Sequence, residues 1–572
     1  MDDIELLLAY ADSNEPVLEE GLDLESAARG EKPREEDVSG SHYGNAGADP
    51  NELEEQGWGL IVPDDEKLAS RLMGLIDPLV QERKRQTGQE PRIYRVPAGM
   101  GIQESSDWWR NVYQDEKVKD HERPRYLLLL GDADVISWEL QQRLSLDVFA
   151  GRLAFQSESD YEAYANKVLE YERAAPADGA RALFHTVRDG TGATTEGHKA
   201  LMTPTVANAR ETKAKGKFNA KEIVWLDEET ADVSAEDFLA AAADPAPTLM
   251  FSISHGSGPP RADWPSFEQK LRFQGQMCML DRKKITHEHV ADRPFLPGGA
   301  WFFFACLGAG TPATSAYRHW LRHLKEVGLY RNDLDVVLRA LPKSDERPFV
   351  ARLPQAALAN PRGPLSVIGH VDLAWTFGFQ DYEIKDGKTI AKDRPSRFQS
   401  IFRNLVEGKR MGAGYTELQR HFNNANADLT GIFDEEERER EPGVTPKTLT
   451  PEQERAKKLK KASRWMERQD LSAYVLLGDP AVRLNVHPGR AQPDVSRPIP
   501  SAVSQAPSPA PTPASGAKKL ADIEAMERAI LPILTEDATA KKVAERLGVE
   551  TDDVKTWVKA YQEAGRKALR DL

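Results

Sequence analysis

Cysteine is scarce: two in 572 residues, which gives no disulfide framework and fits a reducing compartment. No apolar run approaches the roughly 18 to 20 residues needed to span a bilayer. The first residues, MDDIELLLAYADSNE, are acidic where a signal peptide would be basic, and their apolar run is too short, so a cytoplasmic protein is expected. Positive charge is also short. Lys and Arg number 76 against 91 Asp and Glu, and the net charge of −15 argues against general binding to nucleic acid or anionic membrane, while leaving room for a local patch. There is no Gly-rich nucleotide loop. His287 and His289 lie two apart with no Cys or acidic cluster to complete a tetrahedral set, so neither metal nor cofactor is expected.

A hydrophobic content of 40% and a charged content of 29% are ordinary for a globular chain, and the length allows two or three domains. The chain is organised around APTLMFSISHGSGPP, which begins at Ala246, and GGAWFFFACLGAGTP, which ends at Pro312. Each is an apolar run stopped by small residues, the pattern of a buried parallel strand whose carboxyl end opens on a site. One strand delivers His255 and the other Cys306. A thiolate attacks a carbonyl and an imidazole moves the proton to the leaving amine, so the pair suits nucleophilic acyl transfer. At Gly256 a side chain would obstruct close backbone approach, and N–H groups there suit a developing oxyanion; Gly308 holds the small-residue position after Cys306 in the other run. A lone buried Cys usually packs as a small hydrophobe. S-H-G-S-G facing A-C-x-G favours chemistry instead.

These residues resemble the gingipain family of cysteine peptidases, within the caspase-like group that includes CHAT-domain proteases. PRYLLLLGDADV looks like the family's strand with G-D, and DVFAGRLAFQSESDYEAYANKVLEYERA like its V-x-x-G-R strand and its helix ending in K-x-x-x-Y-E. YVLLGDPAVRLNV looks like its closing G-D-P strand. The resemblance implies a caspase-like α/β/α sandwich on a parallel sheet in two subdomains. It implies a cysteine endopeptidase acting on a protein partner through a thioester acyl-enzyme, with His255 and Cys306 as the dyad and the Gly256 and Cys306 N–H groups as oxyanion hole. A catalytically inactive scaffold serving as a DNA-binding or docking adaptor is the alternative.

Residues 1–55 are acidic and poor in apolar positions, so a mostly mobile segment is expected, with one short helix over MDDIELLLAYA. Strand and helix patterns then alternate, giving an N-terminal α/β subdomain over 56–145 and a catalytic domain over 146–487. Cys278 reads as structural. The segment from Asn332 to Pro364 reads as irregular, and 434–468 as a charge-dense solvated helical face. Residues 488–517 form a Pro/Ala/Ser linker, and 518–572 look like a helix-turn-helix module for DNA or a protein partner.

For the substrate pocket, similarity to the arginine-cleaving members places Arg143 where they carry an aspartate. As a pocket floor it would favour an acidic substrate residue; SWELQQRLSL equally suits a solvated helix face. Asp132, Asp134, Asp147 and Asp372 offer carboxylates in the same neighbourhood, and the family's preference leans the expectation towards a basic substrate residue. Trp375 would be an apolar wall in either case.

Overall fold

The apolar runs of the sequence become strands buried on both faces, as a parallel sheet covered by helices requires. In this computed structural model, residues 3–18, 21–23, 26, 49–119, 122–228, 230–329, 331–385, 387–444 and 448–487 are described. The main strands are β1 (Trp58–Pro63), β2 (Arg92–Val96), β3 (Tyr126–Leu130), β4 (Phe149–Leu153), β5 (Ala180–Thr186), β6 (Ala220–Trp225), β7 (Thr248–Ile253), β8 (Ala300–Phe304), β9 (Ser366–His370) and β10 (Tyr474–Leu477). They form one ten-stranded sheet in the order β2-β1-β3-β4-β10-β9-β8-β7-β5-β6. Every neighbouring pair is parallel except β9 and β10. The fold is therefore a mixed α/β architecture built on one large, mostly parallel sheet.

The antiparallel step divides the sheet by direction, and β4 and β10 both run with the first group. The seam in space thus lies between β10 and β9, which are far apart in sequence. Gly151 makes the β4–β10 contact close: a Cβ there would stand 2.3 Å from the carbonyl oxygen of Gly478. The motif residues around this contact are buried and paired. Arg152 donates to Gln141 Oε1 and to the carbonyl oxygens of Gly131 and Ser137. Asp479 accepts from Arg83 Nε at 2.7 Å and Trp58 Nε1 at 3.0 Å, while Glu172 takes both terminal nitrogens of the same guanidinium. Lys167 donates to the carbonyl oxygens of Leu358 and Asn360.

Beneath the central strands, Phe251, Phe302, Phe304 and Tyr474 pack against Phe398 and Phe402 of the helix Ser396–Val406. Helices Met411–Arg438 and Pro451–Ser472 carry the charge-dense run on their outer faces, with Lys457 and Lys461 reaching Glu439 and Glu436.

Three expectations are corrected. The segment from Asn332 to Pro364 is structured: helices Arg331–Ala340 and Arg352–Ala359 flank the short strand Phe349–Val350. Pro354 lies in the first turn of its helix, where no intrahelical N–H is required, so it is compatible with the helix. Second, the described residues of MDDIELLLAYA, from Asp3 on, are extended instead of helical. Asp3–Ile4 pairs antiparallel with Leu22–Asp23, and Leu8–Ala9 is the edge of a small sheet whose other strands are Gly256–Ser257, Met277–Cys278 and Lys284–Ile285. Third, the described part of this segment is packed against the fold, with Ile4, Leu6, Leu7, Leu8 and Ala9 all buried. Pairing with a distant strand satisfies the backbone of an apolar run that is too short to be a stable helix by itself. Residues 488–572, with the linker and the helix-turn-helix-like stretch, lie outside the described residues.

Candidate active site

β7 and β8 are in register to their last residues, Ile253 against Phe304, and Ser254 N–H still donates to the Phe304 carbonyl. The two strands therefore leave the sheet side by side, and two residues further on each carries its candidate side chain, His255 or Cys306. Both are fully buried. The next residue after the cysteine, Leu307, has φ of 57°, an uncommon left-handed conformation for a non-glycine, and its N–H is held by the Asp372 carbonyl at 3.0 Å. This sharp turn ends the strand at Cys306. Gly308 completes it, since a Cβ there would meet the Phe303 ring at 2.8 Å.

His255 Nε2 lies 2.8 Å from Thr191 Oγ1 and 3.5 Å from Asp189 Oδ2. Asp189 in turn accepts from the hydroxyls of Thr191 and Thr194. Nδ1 of the same ring is buried and has no hydrogen-bond partner. Burial pushes the imidazole below its ordinary pKa, and the Asp189 carboxylate works against that shift. Cys306 Sγ accepts from Ala374 N–H at 3.1 Å and faces the Ala374 carbonyl at 3.6 Å. Burial pushes the thiol well above its usual range, with the Ala374 and Leu7 amides opposing and the Asp470 and Asp372 carboxylates reinforcing the shift. Burial thus favours the neutral form of both groups.

Between the two strand ends lies a third segment. The carbonyl oxygen of Leu7 accepts from Gly256 N–H at 3.0 Å and from Cys306 N–H at 3.4 Å, while Leu7 N–H donates to the Ala374 carbonyl at 3.2 Å. Leu6 is bridged antiparallel to Trp375, and Leu8–Ala9 continues along Gly256–Ser257. One peptide carbonyl therefore sits on the two N–H groups of the expected oxyanion hole.

The pocket residues are distributed differently. Asp132 accepts from Val350 N–H at 2.7 Å and pairs with Arg347, which also pairs with Asp134 at 3.2 Å. Arg143 is buried, so it does not lie on a solvated face. It pairs with Asp147 at 2.7 Å and its guanidinium lies 3.7 Å from the centre of the Trp109 ring. Asp372 is buried and accepts from Ala316 N–H and Leu373 N–H, and burial raises its pKa. Arg143 and Asp372 face one cavity of about 430 Å³, together with Trp138, Ser315 and His319. Trp375 is fully buried against Tyr317 and Trp320.

Cys278 lies one small strand away from Gly256, its N–H on the His255 carbonyl, and burial pushes its thiol up to about 12. His289 caps its own helix through Thr286, and His287 Nδ1 stands 3.4 Å from Gln276. Among the described residues no group of three or more His, Cys, Asp and Glu is placed to hold a metal.

Residues 76–257 match the model of peptidase family C25. Over Ile76–Ser257 the sequence is similar to the peptidases of that family. The matched span includes His255 and Gly256 and stops before Cys306. Among solved structures, the Arg-specific cysteine proteinase gingipain R is 15% identical, with 76% of this chain and 80% of that one covered and a TM-score of 0.42. The complex of pro- and mature domains of a Porphyromonas gingivalis gingipain is 15% identical over 74% of this chain and 79% of its own, at a TM-score of 0.39. No curated protein matches the chain.

Sequence reasoning missed Asp189, Thr191, Ala374 and Leu7. A signal existed for the first two: the strand ALFHT runs into V-R-D-G-T, an Asp-Gly turn at a strand end one position over from the His-bearing strand. None existed for Leu7, whose place depends on pairing with residues far along the chain.

Proposed function

We propose that this cysteine peptidase hydrolyses peptide bonds in a protein partner with Cys306 as nucleophile and His255 as proton carrier. The observation that supports it is the convergence of the Gly256 and Cys306 N–H groups on a single peptide carbonyl oxygen. Such donors are worth most when negative charge develops on that oxygen, and losing one typically costs on the order of 10²–10³ in rate.

The chemistry starts from both groups in the neutral form. The thiol proton passes to His255 Nδ1, the ring nitrogen with no partner, as Sγ adds to the substrate carbonyl carbon. The oxyanion rests on the two N–H groups. The carbon–nitrogen bond then breaks, His255 returns the proton to the departing amine, and a thioester to Cys306 remains. Water adds to the thioester with His255 as base, releasing the acid and restoring the thiol. Asp189 and Thr191, on Nε2, hold the ring and favour its transient positive charge.

The test is cleavage of a proteome-derived peptide library by wild type, Cys306→Ala and His255→Ala. Both variants should stay folded by circular dichroism and lose cleavage by orders of magnitude. Activity retained in Cys306→Ala and lost in Cys278→Ala would move the nucleophile and overturn the assignment.

A further inference from the structure

The segment on the oxyanion donors belongs to the chain itself, and its alignment carries information about substrate. Leu7 is held at three backbone points: its carbonyl by Gly256 and Cys306, its N–H by Ala374. These are the points that would fix the residue preceding a bond under attack by Cys306. Leu6 lies antiparallel to Trp375 on one side, and Leu8 and Ala9 lie along Gly256–Ser257 on the other, with Gly258 N–H donating to the Ala9 carbonyl at 2.6 Å. The strand therefore crosses the cleft in both directions from the reactive centre, as an extended peptide added to an open edge does.

Its side chains are as well seated as its backbone. Leu6, Leu7 and Leu8 are between 0 and 2% exposed. Leu8 packs on Gly258, where an added Cβ would come within 3.1 Å of it, and the Glu5 carboxylate lies against Gly192. Beyond Asn14, at φ of 56°, the chain returns, with Tyr10 N–H on the Glu15 carbonyl and Val17 N–H on the Leu8 carbonyl. Arg261 clamps this return through Glu15 and stacks over Tyr10, and Lys284 donates to the Ala11 carbonyl.

The charged residues near the cleft that might have selected a charged substrate are already engaged: Asp132 and Asp134 by Arg347, Arg143 by Asp147, and Asp372 by backbone N–H groups. Burying an opposite charge against such satisfied groups costs more than burying a leucine, whose transfer from water is itself favourable.

We propose that Leu7 occupies the primary substrate subsite, that the enzyme cuts after leucine, and that the strand Glu5–Ala9 is a tethered competitor which substrate must displace. The proposal rests on Cys306 being the nucleophile. A competitor in the same chain binds intramolecularly, so it suppresses turnover without needing high intrinsic affinity.

The experiment follows covalent labelling of Cys306 in the full chain by three acyloxymethyl ketones, acetyl-Ile-Glu-Leu-X with X as Leu, Arg or Asp, read by intact and peptide mass spectrometry. Wild type, Leu7→Ala and Leu7→Asp are compared, with circular dichroism and thermal melting as controls of folding. The leucyl probe should label at least about tenfold faster than the others, and both variants should accept it at least about tenfold faster than wild type. Leu7→Ala keeps the backbone and guards against Leu7→Asp failing to fold. Faster labelling by the arginyl or aspartyl probe overturns the leucine assignment, and the aspartyl result would direct attention to the Arg143 cavity. Equal rates in wild type and both variants overturn the competitor. If no probe modifies Cys306 in any folded variant, the peptidase reading itself fails, an outcome distinct from modification by the wrong probe.

Discussion

Gly256 and Cys306 approach so closely that a Cβ on Gly256 would stand 1.8 Å from the carbonyl oxygen of Cys306 and 3.2 Å from its nitrogen. The obstacle is backbone on the strand that carries the nucleophile, so no side-chain rotation relieves it. Gly256→Ala must push apart the two strand ends whose N–H groups share the Leu7 oxygen. The expected result is loss of peptide cleavage by about 10² or more, with a stability cost of roughly 1–3 kcal/mol from overpacking. Urea unfolding beside kinetics separates the two. Wild-type cleavage in Gly256→Ala would remove Gly256 from the oxyanion site.

A buried cation ties the helices that follow β1 and β4 to the end of β10. Arg83 is fully buried and shared between Asp479, also fully buried, and Glu172; the two carboxylates outweigh burial and hold its pKa above the ordinary value. Removing the cation leaves two carboxylates facing each other without water. Arg83→Met should therefore destabilise the protein by roughly 3–5 kcal/mol and raise the Glu172 pKa, which burial pushes up and Arg83 holds down. The folded Glu172 would then carry a pKa above that of the unfolded chain, so the variant should recover stability as pH falls through it. Chemical unfolding from pH 7 down to pH 5 checks both points. A variant as stable as wild type at pH 7 would show the trio to be dispensable.

That network shows where sequence reading reached and where it stopped. Strand pattern found the sheet, and the resemblance placed His255 and Cys306 on neighbouring strand ends. The G-R, K-x-x-x-Y-E and G-D-P motifs were visible as motifs, but their physical role was not: Arg152, Lys167 and Asp479 are buried groups that fasten their elements to neighbouring helices and loops. The run ELLLAYA is ambiguous in isolation because a short apolar stretch satisfies helix and strand patterns equally. Its strand partners, Gly256 and Trp375, lie far along the chain and give no local signal.

Arg143 provides a direct contrast between the expected charged pocket and the observed pairing. Arg143→Glu replaces the partner of Asp147 with a second carboxylate and removes the cation from the face of Trp109. The expected effect is destabilisation by roughly 3 kcal/mol, with no change in which residue is preferred before the cleaved bond. Thermal melting and hydrolysis of matched peptides ending in Leu, Arg, Lys and Asp measure each part. A preference for Asp in wild type that disappears in Arg143→Glu would restore Arg143 as a specificity residue.

Asp189 is expected to act through His255, and pH separates that role from a structural one. Burial lowers the His255 pKa, so the ring stays neutral to a pH below the ordinary histidine value, and the acid limb of kcat/KM should lie below that value. The Asp189 carboxylate partly offsets the shift by favouring the imidazolium. Asp189→Asn removes that offset, lowering the His255 pKa further, so the acid limb should move to still lower pH. The same loss makes the imidazolium formed during attack less stable, and kcat should fall roughly ten- to a hundredfold at neutral pH. Thr191→Val, which removes the hydroxyl 2.8 Å from Nε2 but leaves the charge, should lower kcat while moving the limb little. Profiles from pH 4.5 to 9 on the three proteins decide the matter. If Asp189→Asn lowers kcat with the limb unmoved, or moves it to higher pH, Asp189 serves the loop and not the histidine.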